Sequence, residues 1–325
     1  MKGTEKFKLA TDREEQLEHL RALGMDVDET QFNQWVGSVG YHRLSSYWYV
    51  ARESEEGKAE TGGKPRQFRN KTRFEDVVAL YEADRKLRTL IHDGMERVEV
   101  ALRAQLIEQL CLRAERDPLV YLDASTFREK FNHLEWIATI FRRLSRAKQR
   151  SESIRHYSVA YSGRYPLWVV AEAMDFTDAS TLYSGLNLAD QMAIAERIGI
   201  FFDWAALSSN QKRKMEKRHH LAAWLEQLTV LWNTCAHHGR VWNNAFPPAP
   251  TSVFRNYIPL PNLPECQSVK IFGSLVVMSQ ILNTVSPGTS WPQKVCGLLL
   301  DDFLANPLVK RSQLGIPRTW DEQGL

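Results

Sequence analysis

The sequence predicts an all-α fold, a single helical domain with additional helices on its N- and C-terminal sides. Two observations predict it. Apolar residues recur at three- and four-residue spacing along most of the 325 residues, and alternating strand patterns are nearly absent. Proline and glycine gather in a few stretches that read as connections: "EEGKAETGGKPRQ" (55–67), "SGRYPLW" (162–168), "FPPAPTS" (246–252) and "YIPLPNLPE" (257–265).

Taken in order, the pattern predicts helices over 12–24 and 28–40. Segment 51–72 is charged, glycine-bearing and poor in apolar residues, which predicts a mobile insertion rather than a domain linker. Its "GGKP" lacks the GxxxxGK[ST] spacing of a phosphate loop. From Phe74 through Tyr81, Leu90, Val98 and Leu106 to Leu110 the spacing predicts one very long amphipathic helix, or two joined near Gly94. Further helices fit 132–150, 168–174, 188–198, 218–243, 268–284 and 291–305, and 306–325 reads as a C-terminal tail. There is no internal repeat.

Composition narrows the function. With 43% apolar residues the chain supplies a sizeable core. Cys111, Cys235, Cys266 and Cys296 show no CxxC spacing, as expected of reduced thiols and not of a disulfide framework or structural zinc. No apolar h-region follows Met1 to Thr11, and no apolar run approaches the ~18 residues of a membrane span. A cytoplasmic protein with no membrane partner is expected. A formal net charge of +3 does not by itself imply nucleic acid, so any anion-binding role must come from local clusters.

The stretch that carries chemistry is "LTVLWNTCAHHGRVWN" (228–243). On a regular helix with Asn233 at zero, His237 falls near about 40°, Arg240 near about −20° and Asn244 near about 20°, one polar stripe, while His238 points elsewhere near about 140°. An imidazole beside a guanidinium and an amide is the set needed to take a proton from a ribose 2′-hydroxyl while a phosphate oxygen is held, a reaction needing neither metal nor cofactor. A second reading stays open: histidines near a helix end also serve as partners of its carbonyls and dipole. Metal binding by His219, His220, His237 and His238 is disfavoured, because adjacent side chains on a helix diverge by about 100°. Immediately before this stretch, "NQKRKMEKRHH" (210–220) holds the densest basic run; Lys212, Arg213, Lys214, Lys217 and Arg218 are either RNA contacts or a solvated face. The aromatics Tyr41, Tyr47, Trp48 and Tyr49 read as core.

Four blocks, "VGYHRLSSYWYV" (39–50), "FEDVVALYEADRKLRTLIHDGMERVEVALRAQL" (74–106), "YPLWVVAEAMDFTDASTLYSGL" (165–186) and "LEQLTVLWNTCAHHGRVWN" (225–243), occur in an order that resembles the abortive-infection (Abi) family of the AbiD/AbiF type, over about residues 12–305. The resemblance implies a HEPN-like helical domain, a role in bacterial anti-phage defence, a homodimer, and RNA as partner, with a regulatory or guide-like RNA as a further candidate. It implies metal-independent endoribonuclease chemistry ending in a 2′,3′-cyclic phosphate. The family motif Arg-Asn-x-Cys-Ala-His-His reads here Trp232-Asn233-Thr234-Cys235-Ala236-His237-His238. His237 then carries over as general base or acid, Asn233 as orienting group and Arg240 as phosphate clamp. Further RNA contacts are His238 in the motif, Asn244 on the polar stripe, and Arg97 and Arg103 on the helix the family keeps beside the motif, although Glu99 and Arg103 also read as an i,i+4 ion pair. The first motif arginine is Trp232. Three accounts fit: a substitution that silences a toxic enzyme, a natural loss leaving a non-catalytic RNA-binding or antitoxin-like protein, or a site in which Arg240 holds the phosphate.

Overall fold

Helix starts are written locally in this chain. Asp12, Asp28, Asn132, Ser151, Asp175, Asn187 and Ser208 each accept, through the side chain, the backbone N–H three residues on, which satisfies donors that the first helical turn leaves open. The computed structural model describes residues 10–52, 67–69, 71–257 and 260–325. Among these it is all-α, with fifteen α-helices and one antiparallel sheet of two-residue strands. The chain divides into two compact units. One comprises the described residues up to Lys86 together with Gly297–Lys310, and the other Leu87–Cys296 with Arg311–Leu325.

The first unit holds α1 (Arg13–Ala22), α2 (Glu29–Ser38), α3 (Tyr41–Trp48) and the opening turns of α4 (Phe74–Arg113). Phe32, Leu44, Tyr47, Trp48 and Phe74 form its core, with the Phe32 and Phe74 rings 5.6 Å apart. The Tyr47 hydroxyl donates to the fully buried Asp84 carboxylate at 2.7 Å, so Tyr47 and Trp48 are core as expected, whereas Tyr41 is half-buried and Tyr49 is exposed, which corrects the core expectation there. Of the insertion expected at 51–72, residues 53–66 and Asn70 lie outside the described residues. Its edges are pinned by backbone bonds from Phe68 N to Leu23 O (2.8 Å) and Arg69 N to Ala51 O (2.9 Å). The stretch Leu298–Leu304 is π-helical, and Lys86 bonds Asp302 beside it at 2.6 Å.

The second unit holds the rest of α4, then α5 (His133–Ala147), α6 (Glu152–Ala160), α7 (Leu167–Ala173), α8 (Phe176–Gly185), α9 (Leu188–Arg197), α10 (Ser209–Lys217) and α11 (His220–Ala236). After α11 come β1 (Ala249–Pro250), α12 (Ser252–Tyr257), β2 (Gln267–Ser268), α13 (Ile271–Val285), most of α14 (Trp291–Gly297) and α15 (Arg311–Leu314). Helix α11 is the axis of this unit and packs on α8, α13 and β1. Segment 306–325, expected as a tail, carries α15 and buries Leu314, Ile316 and Trp320, the last edge-on to Phe272 at 5.3 Å. Among the described residues no helix is long and apolar enough to cross a membrane.

Of the two readings open for 74–110, one unbroken helix is what forms. Gly94 permits a close approach instead of a break: a Cβ there would stand 2.8 Å from the Met278 methyl and 2.9 Å from the Trp291 indole, which itself donates to Leu90 O at 2.6 Å. Methionine yields and the anchored indole does not. Gly94→Val is therefore expected to destabilise the protein by about 1–3 kcal/mol through overpacking, read as a lower urea midpoint; an unchanged midpoint would show that α13 and α14 shift away freely.

Candidate active site

Helix α11 is buried on nearly every side, including Leu221, Trp224, Leu225, Leu228, Leu231 and Cys235. Its interior polar residue Gln227 is fully enclosed and saturated. It donates to Pro247 O (2.6 Å) and Ser268 O (2.8 Å) and accepts from the Ser274 hydroxyl (2.7 Å). Trp224 donates to Pro250 O at 2.9 Å. These bonds hold the returning segment 246–251 against the helix that precedes it.

The motif helix is shorter than the 218–243 expected. It starts at His220, separated from α10, and ends at Ala236 with His237 as C-cap. His238 adopts φ +56°, its N–H bonds Cys235 O at 2.9 Å, and the Gly239 N–H bonds Thr234 O at 2.7 Å. This pair of bonds with a left-handed residue between them is a Schellman cap, which closes the last carbonyls and reverses the chain. The continuous polar stripe is thereby corrected. Asn233 and His237 remain one turn apart and exposed, the His237 N–H bonding Asn233 O at 3.0 Å, while Arg240 and Asn244 follow the reversal and lie off the helix. Regular periodicity cannot foresee a cap that uses histidine where glycine is usual.

Beyond the cap, Arg240 sets its guanidinium over the Trp242 ring, 5.6 Å from the centroid. Asn243 is again left-handed, at φ +53°. Its carbonyl and side-chain oxygens accept from Lys270 Nζ at 3.3 and 3.4 Å. Burial, then the neighbouring Arg240 charge, lowers the Lys270 pKa, so two cations approach one another here. Asn244 turns its side-chain oxygen to the Ala245 N–H, and His238 is exposed.

Two residues of α4 that sequence reasoning missed complete the site. His92 meets Trp232 edge-on, ring centroids 4.8 Å apart, and Arg88, one turn earlier and 5% exposed, donates to Gly239 O at 3.4 Å. Their i,i+4 spacing was the available signal. Trp232, where the motif arginine is expected, is thus a half-buried packing residue.

The other suggested RNA contacts divide. Arg97 donates to Ser286 (3.2 Å) and Thr289 (2.8 Å) and pairs with Asp93, and Arg103 bonds Glu99 and Met174 O, so both hold structure together. In the basic run Arg213, Lys214, Lys217 and Arg218 are exposed, Lys212 sits over Trp204, and Arg218 pairs with Glu226. At the opposite end of α11, His219 and His220 are buried. The His219 Nδ1 lies 2.9 Å from the Tyr183 hydroxyl and its ring is edge-on to Phe202.

The fold and site define a helical protein whose Asn-x3-His pair is exposed at the capped end of a buried helix, backed by an arginine and a histidine from a second, very long helix. The family described as Abi-like protein matches residues 34–243, more than half of the chain and ending with the motif turn, and the chain belongs to that family. No curated protein and no solved structure matches it.

Desolvation lowers the pKa of His219 to about 3 and that of His220 to about 4. Both lie below the unfolded value of about 6.5, so the unfolded chain binds more protons in mild acid. Stability is complete above about pH 6.5 and falls as pH drops, each histidine contributing a slope of up to about 1.4 kcal/mol per pH unit. His219→Gln, followed by urea denaturation across this range, is expected to flatten the loss; pH profiles that run parallel to the parent's would refute the assignment.

Proposed function

We propose that the protein is an anti-phage abortive-infection protein of the AbiD/AbiF type, whose HEPN-type site is built for metal-independent scission of RNA. Membership of the Abi-like family supports the defence role. The observation that carries the chemistry is the exposed Asn233–His237 pair at the α11 cap, followed by Arg240 and Lys270 as neighbouring cations. In this reading His237 takes the proton of the ribose 2′-hydroxyl, and the oxygen attacks the adjacent phosphorus. The 5′-oxygen leaves with a proton from a general acid, and the product is a 2′,3′-cyclic phosphate. Asn233 orients the ribose, and Arg240 with Lys270 takes the charge that grows on the phosphate oxygens. A homodimer brings a second copy of the motif to the site, and a regulatory or guide-like RNA is compatible with the same surface.

One observation favours a second reading. The indole of Trp232 is packed on His92 where a guanidinium would bind phosphate, which suits a non-catalytic RNA-binding or antitoxin-like protein. The two are separated by cleavage of single-stranded RNA in EDTA. Trp232→Arg is expected to raise cleavage about 10²- to 10³-fold, and His237→Ala in that background to lower it about 10²- to 10⁴-fold. Arg240→Ala in the parent protein should abolish any basal activity. Folded Trp232→Arg protein that retains RNA in a salt-dependent way and leaves it intact would establish the binding reading.

A further inference from the structure

The α5–α6 junction carries more positive charge than its ion pairs among the described residues take up. Between Arg142 and Arg164 the chain has seven lysines and arginines against one carboxylate, Glu152. Arg143 is consumed by Asp175 and Asp178. Arg146, Lys148, Arg150, Arg155 and Arg164 are all exposed, and among the described residues none of the five is in an ion pair. Beside them stands an aromatic ladder. Tyr157 and Tyr161 stack at 4.8 Å with 24° between planes, and His156 meets both edge-on at 5.6 and 5.8 Å. Tyr161 is 51% exposed, and Arg155 and His156 line a shallow recess with Val159, with Glu152 at the same recess. The turn that closes α6 is held by backbone bonds from Gly163 N to Tyr157 O at 3.2 Å and from Arg164 N to Tyr161 O at 3.0 Å, which place the Arg164 backbone next to the ladder.

A solvated helix face does not need a stacked aromatic pair, and an ordinary apolar patch does not gather five open cations. Together they match single-stranded nucleic acid, in which phosphates alternate with flat bases. We infer that the α5–α6 junction is a second RNA-binding platform, on which bases of a single strand stack against Tyr161 and His156 while Arg150, Arg155 and Arg164 track the phosphates. The inference takes its ligand class from the RNA reading above but needs no catalysis, and it names a surface on a different pair of helices from the motif.

The test uses the full chain and a single-stranded oligouridylate carrying 5-iodouridine, cross-linked by ultraviolet light and mapped by peptide mass. Cross-links to His156, Tyr157 or Tyr161 are expected. Tyr157→Leu with Tyr161→Leu, which keeps apolar volume and removes the stacking rings, should weaken binding about five-fold or more by fluorescence anisotropy. Arg150→Gln with Arg155→Gln and Arg164→Gln should flatten the salt dependence by roughly 0.7 in log–log slope for each phosphate these arginines neutralise. Circular dichroism and an unchanged urea midpoint identify variants that fold. Cross-links confined to α10 and the motif turn, with affinity unchanged in both sets of variants, would overturn the platform and leave the nuclease reading standing. Variants that lose dimer mass in sedimentation but keep RNA affinity would overturn it too, and mark the face as a contact between copies. Cross-linking at Tyr161 by a protein whose Trp232→Arg form cuts no RNA would retain the platform and remove the nuclease.

Discussion

A helix buried on nearly every side has to settle most of its polar groups without water, and that constraint organises the second unit. Along α11 the backbone pairs within the helix, and Gln227 is the interior side chain whose amide has to be met on both its oxygen and its nitrogen. It is met by Pro247 on the segment that returns across the helix, by Ser268 on β2 and by Ser274 on α13. Leaving such groups buried and unpaired costs about 1–3 kcal/mol each, so the return path is specified by the helix it crosses. The terminal carbonyls face the same demand, and the Schellman cap at His238 meets it within a single turn. The exposed position of Asn233 and His237 continues an open stripe of α11 that begins at Glu226 and Val230 and runs out at the cap.

The long helix α4 supplies the other wall. Its Gly94 admits the Trp291 indole and lets α13 and α14 lie close, while Arg88 and His92 sit one turn apart and meet the motif turn and Trp232. An arginine that is nearly inaccessible and bonded to the Gly239 carbonyl cannot grip a substrate phosphate without unpacking. It braces the reversal from which Arg240 projects. The division is between a buried cation that sets backbone geometry and half-exposed cations, Arg240 and Lys270, that remain beside the motif.

What was legible in the sequence tracks how local its cause is. Helices α4, α5 and α13 were readable because their apolar spacing is regular over many turns, and the all-α class followed from them. Helices α3, α6 and α8 were not: α3 starts from a left-handed Gly40, and α8 is rich in Thr, Ser and Asp, poor helix formers away from caps. A signal for α8 was nonetheless present in Asp175 and Asp178, which form a capping box. In the site, Asn233 and His237 were legible because they share a face at short range. The loss of Arg240 and Asn244 from that face depends on φ at His238, which no side-chain period encodes, and the pairing of Trp232 with His92 joins residues 140 positions apart.

Position 232 is where folding and the proposed chemistry compete directly. On a regular helix it lies about 140° from His237, so a side chain there reaches a substrate only around the helix end or across to another wall. The indole takes the second course. Its edge-on contact with His92 contributes about 0.5–1.5 kcal/mol beyond the area it buries, and it fills a half-buried position without a charge to solvate. A guanidinium in the same place is worth about 2.7–4 kcal/mol only when a developing phosphate charge stands before it, and costs desolvation whenever the site is empty. Tryptophan therefore favours the resting fold and arginine the transition state. The chain has taken the first option while keeping Asn233 and His237 exposed and Arg240 and Lys270 half-exposed, so the RNA surface proposed above stands without the cation that its proposed chemistry would lean on most.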